Sequence, residues 1–173
     1  MLDSFNRPIT YLRVSVTDRC NLRCMYCMPE CGIENLPHDA ILSFEEILET
    51  IRFAAKNGVN KVRITGGEPL VRKGIVNLVR EIAGIPEIKD LGMTTNGILL
   101  SRFASQLKEA GLKRVNISLD TTDPERYRTI TRLGDINEVF AGIAAAKAAG
   151  MEPIKINCVV KKNADETDAR LVK

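Results

Sequence analysis

Long apolar runs are missing from this chain: nowhere do eighteen apolar residues follow one another, so no segment reads as a membrane-spanning helix. The opening Met1-Leu-Asp-Ser-Phe-Asn-Arg7 lacks the charged-then-apolar order of a secretory signal, and a cytoplasmic protein is expected. A strong charge excess is missing too. Lys and Arg number 25 against 22 Asp and Glu, a net charge of +3, which gives no electrostatic case for a nucleic-acid partner. Histidine occurs once, at His38. No linker or low-complexity tract divides the 173 residues, of which 45% are hydrophobic and 27% charged, and a single globular domain follows.

Cysteine is where the sequence is unusual. Five cysteines are an odd number, and three of them, Cys20, Cys24 and Cys27, fall in Thr17-Asp-Arg-Cys-Asn-Leu-Arg-Cys-Met-Tyr-Cys27. That pattern suits reduced thiols or a metal better than a disulfide framework. A loop this short can wrap three thiolates around one centre at little closure cost and without help from distant chain. Two metals remain open. Structural zinc wants four closed ligands, which Cys31, His38 or an acid could complete. An iron–sulfur cluster on three cysteines keeps one iron open to a ligand that is not protein.

The rest of the chain alternates strand and helix. Extended runs are predicted at Ile9 to Thr17, Lys61 to Thr65, Ile88 to Thr95, Lys113 to Leu119 and Ile154 to Val160. Helices are predicted from the capping box Ser43-Phe-Glu-Glu46 to Gly58, over Lys73 to Ala83, from a Ser101 cap to Gly111, after Asp123-Pro124, over Asn137 to Ala149, and after the fifth strand. The glycines Gly58, Gly111 and Gly150 recur just before a strand. Such βα repetition predicts an α/β fold with parallel strands and right-handed crossovers.

Four of these strands alternate rather than reading as continuous apolar runs. Leu12, Val14 and Val16 interleave with Arg13, Ser15 and Thr17; Val62 and Ile64 with Arg63 and Thr65; Val115, Ile117 and Leu119 with Asn116, Ser118 and Asp120; Ile154 and Ile156 with Lys155 and Asn157. One face is apolar for helices and the other polar. The polar faces either meet water or, if the sheet curls, share a cavity holding a ligand. Arg13, Arg63 and Lys155 would make that ligand an anion, with phosphate suited to them. Gly66-Gly67-Glu68-Pro69 follows the second strand, at the end where such folds bind ligands, and its turn amides could take a carboxylate. Cys158, among apolar neighbours, is expected to be a small core residue.

The Cys-x3-Cys-x2-Cys run with Tyr26 before the last cysteine, coupled to Gly66-Gly67-Glu68-Pro69, resembles the radical S-adenosylmethionine (SAM) superfamily. The resemblance implies a partial (β/α) barrel with helices on its outer face, truncated here after about five strands. It also implies a [4Fe–4S] cluster on Cys20, Cys24 and Cys27, whose open iron chelates SAM, and an electron that splits SAM to a 5′-deoxyadenosyl radical. Arg63-Ile-Thr-Gly-Gly-Glu-Pro-Leu70, Thr94-Thr-Asn-Gly97 and Asn116-Ile-Ser-Leu-Asp120 are similar to the GTP-cyclising branch of molybdenum cofactor biosynthesis. By that resemblance Tyr26, Gly67 and Ser118 would contact SAM, with Gly66 and Glu68 beside them, and Arg13, Arg63, Thr94 and Lys155 would hold GTP. It further implies an external electron donor, a homodimer, and a longer chain with a second cluster beyond residues 1–173. A radical SAM enzyme for a peptide or other small molecule, and a zinc-stabilised binding module, are the alternatives. Cys31 stands where that branch has Glu.

Overall fold

The computed structural model describes residues 2–160, 170 and 172, without the side chain of His38. Period-two alternation and helical apolar stripes build the elements β1 (Tyr11–Ser15), α1 (Phe44–Lys56), β2 (Lys61–Thr65), α2 (Ile75–Ala83), β3 (Asp90–Thr95), α3 (Leu100–Glu109), β4 (Arg114–Ser118), α4 (Pro124–Thr131), α5 (Ile136–Ala148) and β5 (Lys155–Asn157). The five strands form one parallel sheet in the order β1-β2-β3-β4-β5. Sequential order with a helical crossover between successive strands is the arrangement of a (β/α) barrel, and here the described sheet is open. Among the described residues no helix is long and apolar enough to cross a membrane.

Helix starts follow their caps. The Ser43 hydroxyl accepts from the Glu46 N–H at 3.2 Å while the Glu46 carboxylate accepts from the Ser43 N–H at 2.7 Å, the reciprocal box the sequence predicts. Asp123 and Asp135 cap α4 and α5 through the Arg126 and Asn137 N–H groups. Two expected starts shift. Gly74 stands at φ 86°, a left-handed conformation that no helix continues through, so α2 begins after it rather than at Lys73. Ser101 lies inside α3, and Leu99 occupies the cap without a side-chain bond.

The apolar stripes close on one face of the sheet. Ile47, Leu48 and Ile51 of α1, Leu78, Val79 and Ile82 of α2, Ala104 and Leu107 of α3, and Val139 and Ala146 of α5 are all buried. They cover Val62, Ile64, Leu91, Met93, Val115 and Ile117, the alternate residues of the central strands. Burying each large side chain contributes roughly 1.5–3 kcal/mol, so the helices belong to that face and the polar residues to the other.

The edges are shorter than the alternation suggests. β1 spans five residues and β5 three, so Cys158 to Val160 lie outside the fifth strand. Cys158 is half-buried rather than a core residue, and its thiol donates to the Asp120 carbonyl at 3.3 Å. Apart from Arg170 and Val172, the helix expected after the fifth strand lies outside the described residues.

Candidate active site

The cysteine loop leaves the carboxyl end of β1 and passes over the ends of β2, β3 and β4. Cys20 and Cys24 are half-buried against the core, and Cys27 is exposed. The Cys24 carbonyl accepts from the Cys27 N–H at 2.9 Å and the Met28 N–H at 3.1 Å, a turn that brings the second and third cysteines round together. The Cys20 sulfur accepts from the Leu22 N–H at 3.4 Å and from Asn96 Nδ2 at 3.9 Å.

Burial pushes the Cys20 thiol up. It pushes Cys24 up to about 11, with the neighbouring Cys27 and Cys20 charges adding to the rise. Three adjoining thiolates in a half-buried loop repel one another, and a bound cationic centre is what reverses that sign. Cys31 is exposed, with its sulfur 3.6 Å from the Gly32 carbonyl.

Among the described residues no three His, Cys, Asp or Glu converge as a single ion requires; zinc would draw its sulfurs to roughly 4 Å of one another. A cluster spreads its thiolates, one to each iron. Helix α4, packed beside the loop, also offers an unspent donor. The Tyr127 hydroxyl has no hydrogen-bond partner among the described residues although Tyr127 is 2% exposed. Burial, then the Cys24 charge, raises its pKa. A buried hydroxyl left unpaired beside a cysteine suits a site whose sulfurs accept hydrogen bonds.

The two glycines after β2 are required by contact with this loop. A Cβ on Gly67 would lie 2.3 Å from the Arg19 carbonyl oxygen, and one on Gly66, at φ 143°, 2.5 Å from that of Thr17. Their turn is not the open anion nest the sequence suggested: the Gly67 N–H donates to Thr17 O at 2.7 Å and the Glu68 N–H to Arg19 O at 2.8 Å. Those amides fasten the cysteine loop, which leaves the turn's carbonyls for a ligand.

Glu68, expected beside SAM, is fully buried. Its Oε1 accepts from the Leu70 N–H at 3.0 Å and the Thr95 hydroxyl at 2.8 Å, and its Oε2 from the Asn96 N–H at 2.7 Å. Burial pushes its pKa up while these donors oppose the shift. Asn96 carries the connection onward, its Nδ2 donating to Asn21 Oδ1 at 2.8 Å. The Gly-Gly turn, the end of β3 and the cysteine loop are thus one bonded unit.

Tyr26 donates its hydroxyl to Asp120 Oδ2 at 2.7 Å, and Asp120 Oδ1 accepts from the Val159 N–H at 2.8 Å. Asp120 therefore ties the cysteine loop to the ends of β4 and β5. The sequence placed it on the polar side of the fourth strand's alternation and within the Asn116-Ile-Ser-Leu-Asp120 resemblance, without giving it a role.

The register stacks the remaining candidates on the face opposite the helices. Arg13 pairs with Arg63, which pairs with Gly92. One level nearer the cysteine loop, Thr94 pairs with Asn116 and Asn116 with Lys155. One level further, Ser118 pairs with Asn157. Arg63 lies over the Tyr11 ring, 5.9 Å from its centroid, and its buried Nε has no hydrogen-bond partner among the described residues.

A further cation, which the alternation passed over, shares this face. Arg114 faces Gly92 in the register and grips Asp90 bidentately, with Nε to Oδ1 at 2.8 Å. Hydrogen bonding to Arg114 holds the Asp90 carboxyl below its ordinary value of 3.8. A lowered folded-state pKa gives stability that is present above that value and lost as pH falls through the folded pKa. Asp90→Asn is accordingly expected to melt below wild type at pH 7, and the difference should shrink as pH falls below 3.8 and through the lowered folded-state value, in acid titrations followed by circular dichroism.

Residues 14–172 match the sequence pattern of the Radical SAM superfamily. The chain belongs to that family. Among curated relatives it is 57% identical over 169 residues to a GTP 3′,8-cyclase of Thermodesulfovibrio yellowstonii, covering 97% of this chain and 52% of that protein. It is 59% identical over 160 residues to a GTP 3′,8-cyclase of Heliobacterium modesticaldum, covering 92% and 49%. The chain spans about half the length of the curated relatives it matches. In fold it resembles Streptococcus suis SuiB, solved with its precursor peptide SuiA, at a TM-score of 0.75 and 22% identity over 94% of this chain and 35% of that one.

Proposed function

We propose that this chain is the cofactor-binding core of a GTP 3′,8-cyclase, in which Cys20, Cys24 and Cys27 hold a [4Fe–4S] cluster whose open iron takes SAM. The observation that carries the reading is the fastening of the three-cysteine loop to the Gly66-Gly67 turn by the Gly67 and Glu68 amides. When bound, the cluster would supply one electron to SAM, breaking its sulfonium C–S bond to leave methionine and a 5′-deoxyadenosyl radical able to take the ribose 3′ hydrogen of GTP.

The protein's own residues position the partners. Tyr26, Gly66, Gly67 and Ser118 border the cluster end and would hold SAM, the turn carbonyls accepting from its ammonium. Glu68 acts from behind, fixing Asn96 and the turn. Below them Thr94 and Lys155, and then Arg13 and Arg63, would form a graded cationic face for GTP, whose phosphates suit two guanidinium groups and an ammonium. An external reductant would reduce the cluster beforehand. On this reading residues 1–173 carry the core domain, and turnover and dimerisation belong to the longer protein.

GTP is expected to slow limited proteolysis of the chain severalfold, and Arg63→Ala to remove most of that protection. Protection by SAM but none by GTP would move the reading to a radical SAM enzyme with another substrate.

A further inference from the structure

Arg132 follows the last turn of α4 at φ 64°, ψ −41°. Only it and Asn6 are non-glycine residues at positive φ among the described residues. Asparagine tolerates that region through its short polar side chain, whereas arginine adopts it against a steric cost and only where its surroundings hold it.

The surroundings are the cysteine loop. Arg132 Nη1 donates to the Arg23 carbonyl at 2.8 Å and to the Met28 carbonyl at 3.0 Å, the peptides that bracket Cys24 and Cys27. Its own N–H donates to Arg128 O at 2.7 Å. Beside it, Thr131 O accepts from the Arg23 N–H at 3.1 Å and Ile130 O from the Met25 N–H at 2.9 Å. Gly134 completes the close approach: a Cβ there would lie 2.6 Å from the Tyr127 ring, 2.7 Å from Thr131 Oγ1 and 3.2 Å from Leu22.

We propose that Arg132 is a positioning residue for the metal centre, its strained backbone aiming a guanidinium that clamps the second and third cysteines from outside the loop. The inference rests on the cluster reading above. The clamp acts through carbonyls rather than sulfurs, so it sets where the thiolates stand and not which residues ligate. Removing it frees the Arg23 and Met28 carbonyls that bracket Cys24 and Cys27, while the three cysteines and the bonds from the Arg23 and Met25 N–H groups to α4 remain.

Strain and clamp separate by substitution. Arg132→Ala keeps the positive φ and loses the guanidinium; Arg132→Gly loses both the guanidinium and the backbone cost; Arg132→Lys keeps a cation of similar reach. In the metal-free chain the glycine variant is expected to melt above the alanine variant by about 2–4 °C. In the anaerobically reconstituted chain, both are expected to lose iron to a ferrous chelator about tenfold faster than wild type and at equal rates, with lysine within about threefold of wild type.

A purely structural role would instead make iron loss follow melting, glycine slower than alanine, and that result overturns the proposal. So does wild-type iron loss in the glycine variant. If the alanine variant does not fold, glycine and lysine against wild type make the same comparison. A wild-type chain that takes up no iron overturns the cluster reading and this inference together; one that loads normally while its variants release iron unchanged overturns the clamp alone.

Discussion

Gly67→Ala is expected to destabilise the metal-free chain by about 3 kcal/mol, a fall of about 6–12 °C in melting temperature, and to abolish cluster loading. The reason is a contact with backbone and not with a side chain that could swing away. The added Cβ would lie 2.3 Å from Arg19 O, 2.7 Å from Arg19 C and 2.8 Å from Asp18 O. Relief requires the cysteine loop to lift from the turn, which breaks the bonds from the Gly67 N–H to Thr17 O and the Glu68 N–H to Arg19 O. Cys20, the next residue, moves with them. Gly84→Ala is the control, since its nearest contacts would be ordinary ones at 3.5 Å and its φ of −74° suits any residue. Thermal melts of both variants, with iron content after reconstitution, check the expectation.

Glu68→Ala should cost about 4 kcal/mol, read from urea or thermal unfolding without metal. Three donors, the Leu70 N–H, the Thr95 hydroxyl and the Asn96 N–H, would be left unpaired in a site closed to water. Each buried orphan costs roughly 1–3 kcal/mol, offset in part by water entering the space. Glu68→Gln keeps the shape and one acceptor oxygen but turns an NH2 toward a donor, so it should fall about midway. A carboxylate whose main work was to meet SAM would give the opposite pattern, with near-normal stability and weakened SAM binding.

These two residues show where the sequence was legible. Local signals marked every described strand, the helix-covered face and the caps at Ser43 and Asp123, because they need only neighbours along the chain; the Asp135 cap of α5 came from the structure. The same alternation put Arg13, Arg63 and Lys155 on one face, and the register agrees. Ser101 misled because a favourable cap residue also fits inside a first turn, and Gly74 because a left-handed conformation leaves no mark in an apolar stripe.

What periodicity does not carry is a pairing across long sequence separations. The cysteine loop looked self-sufficient, yet Arg132 reaches it across 109 residues and Tyr26 meets Asp120 across 94. Glu68 illustrates the same limit, since a Gly-Gly-Glu-Pro turn reads alike whether its carboxylate faces a ligand or, as here, is buried behind it.

The central claim is that three cysteines hold a cluster with one iron open to SAM. Iron, sulfide and zinc content after anaerobic reconstitution, together with the electron paramagnetic resonance spectrum of the reduced chain before and after SAM, tests it directly. The account predicts roughly four irons per chain and a signal that SAM perturbs. Stoichiometric zinc that persists against excess iron and is lost on Cys31→Ala would contradict it, because a closed four-sulfur site leaves SAM no metal to bind.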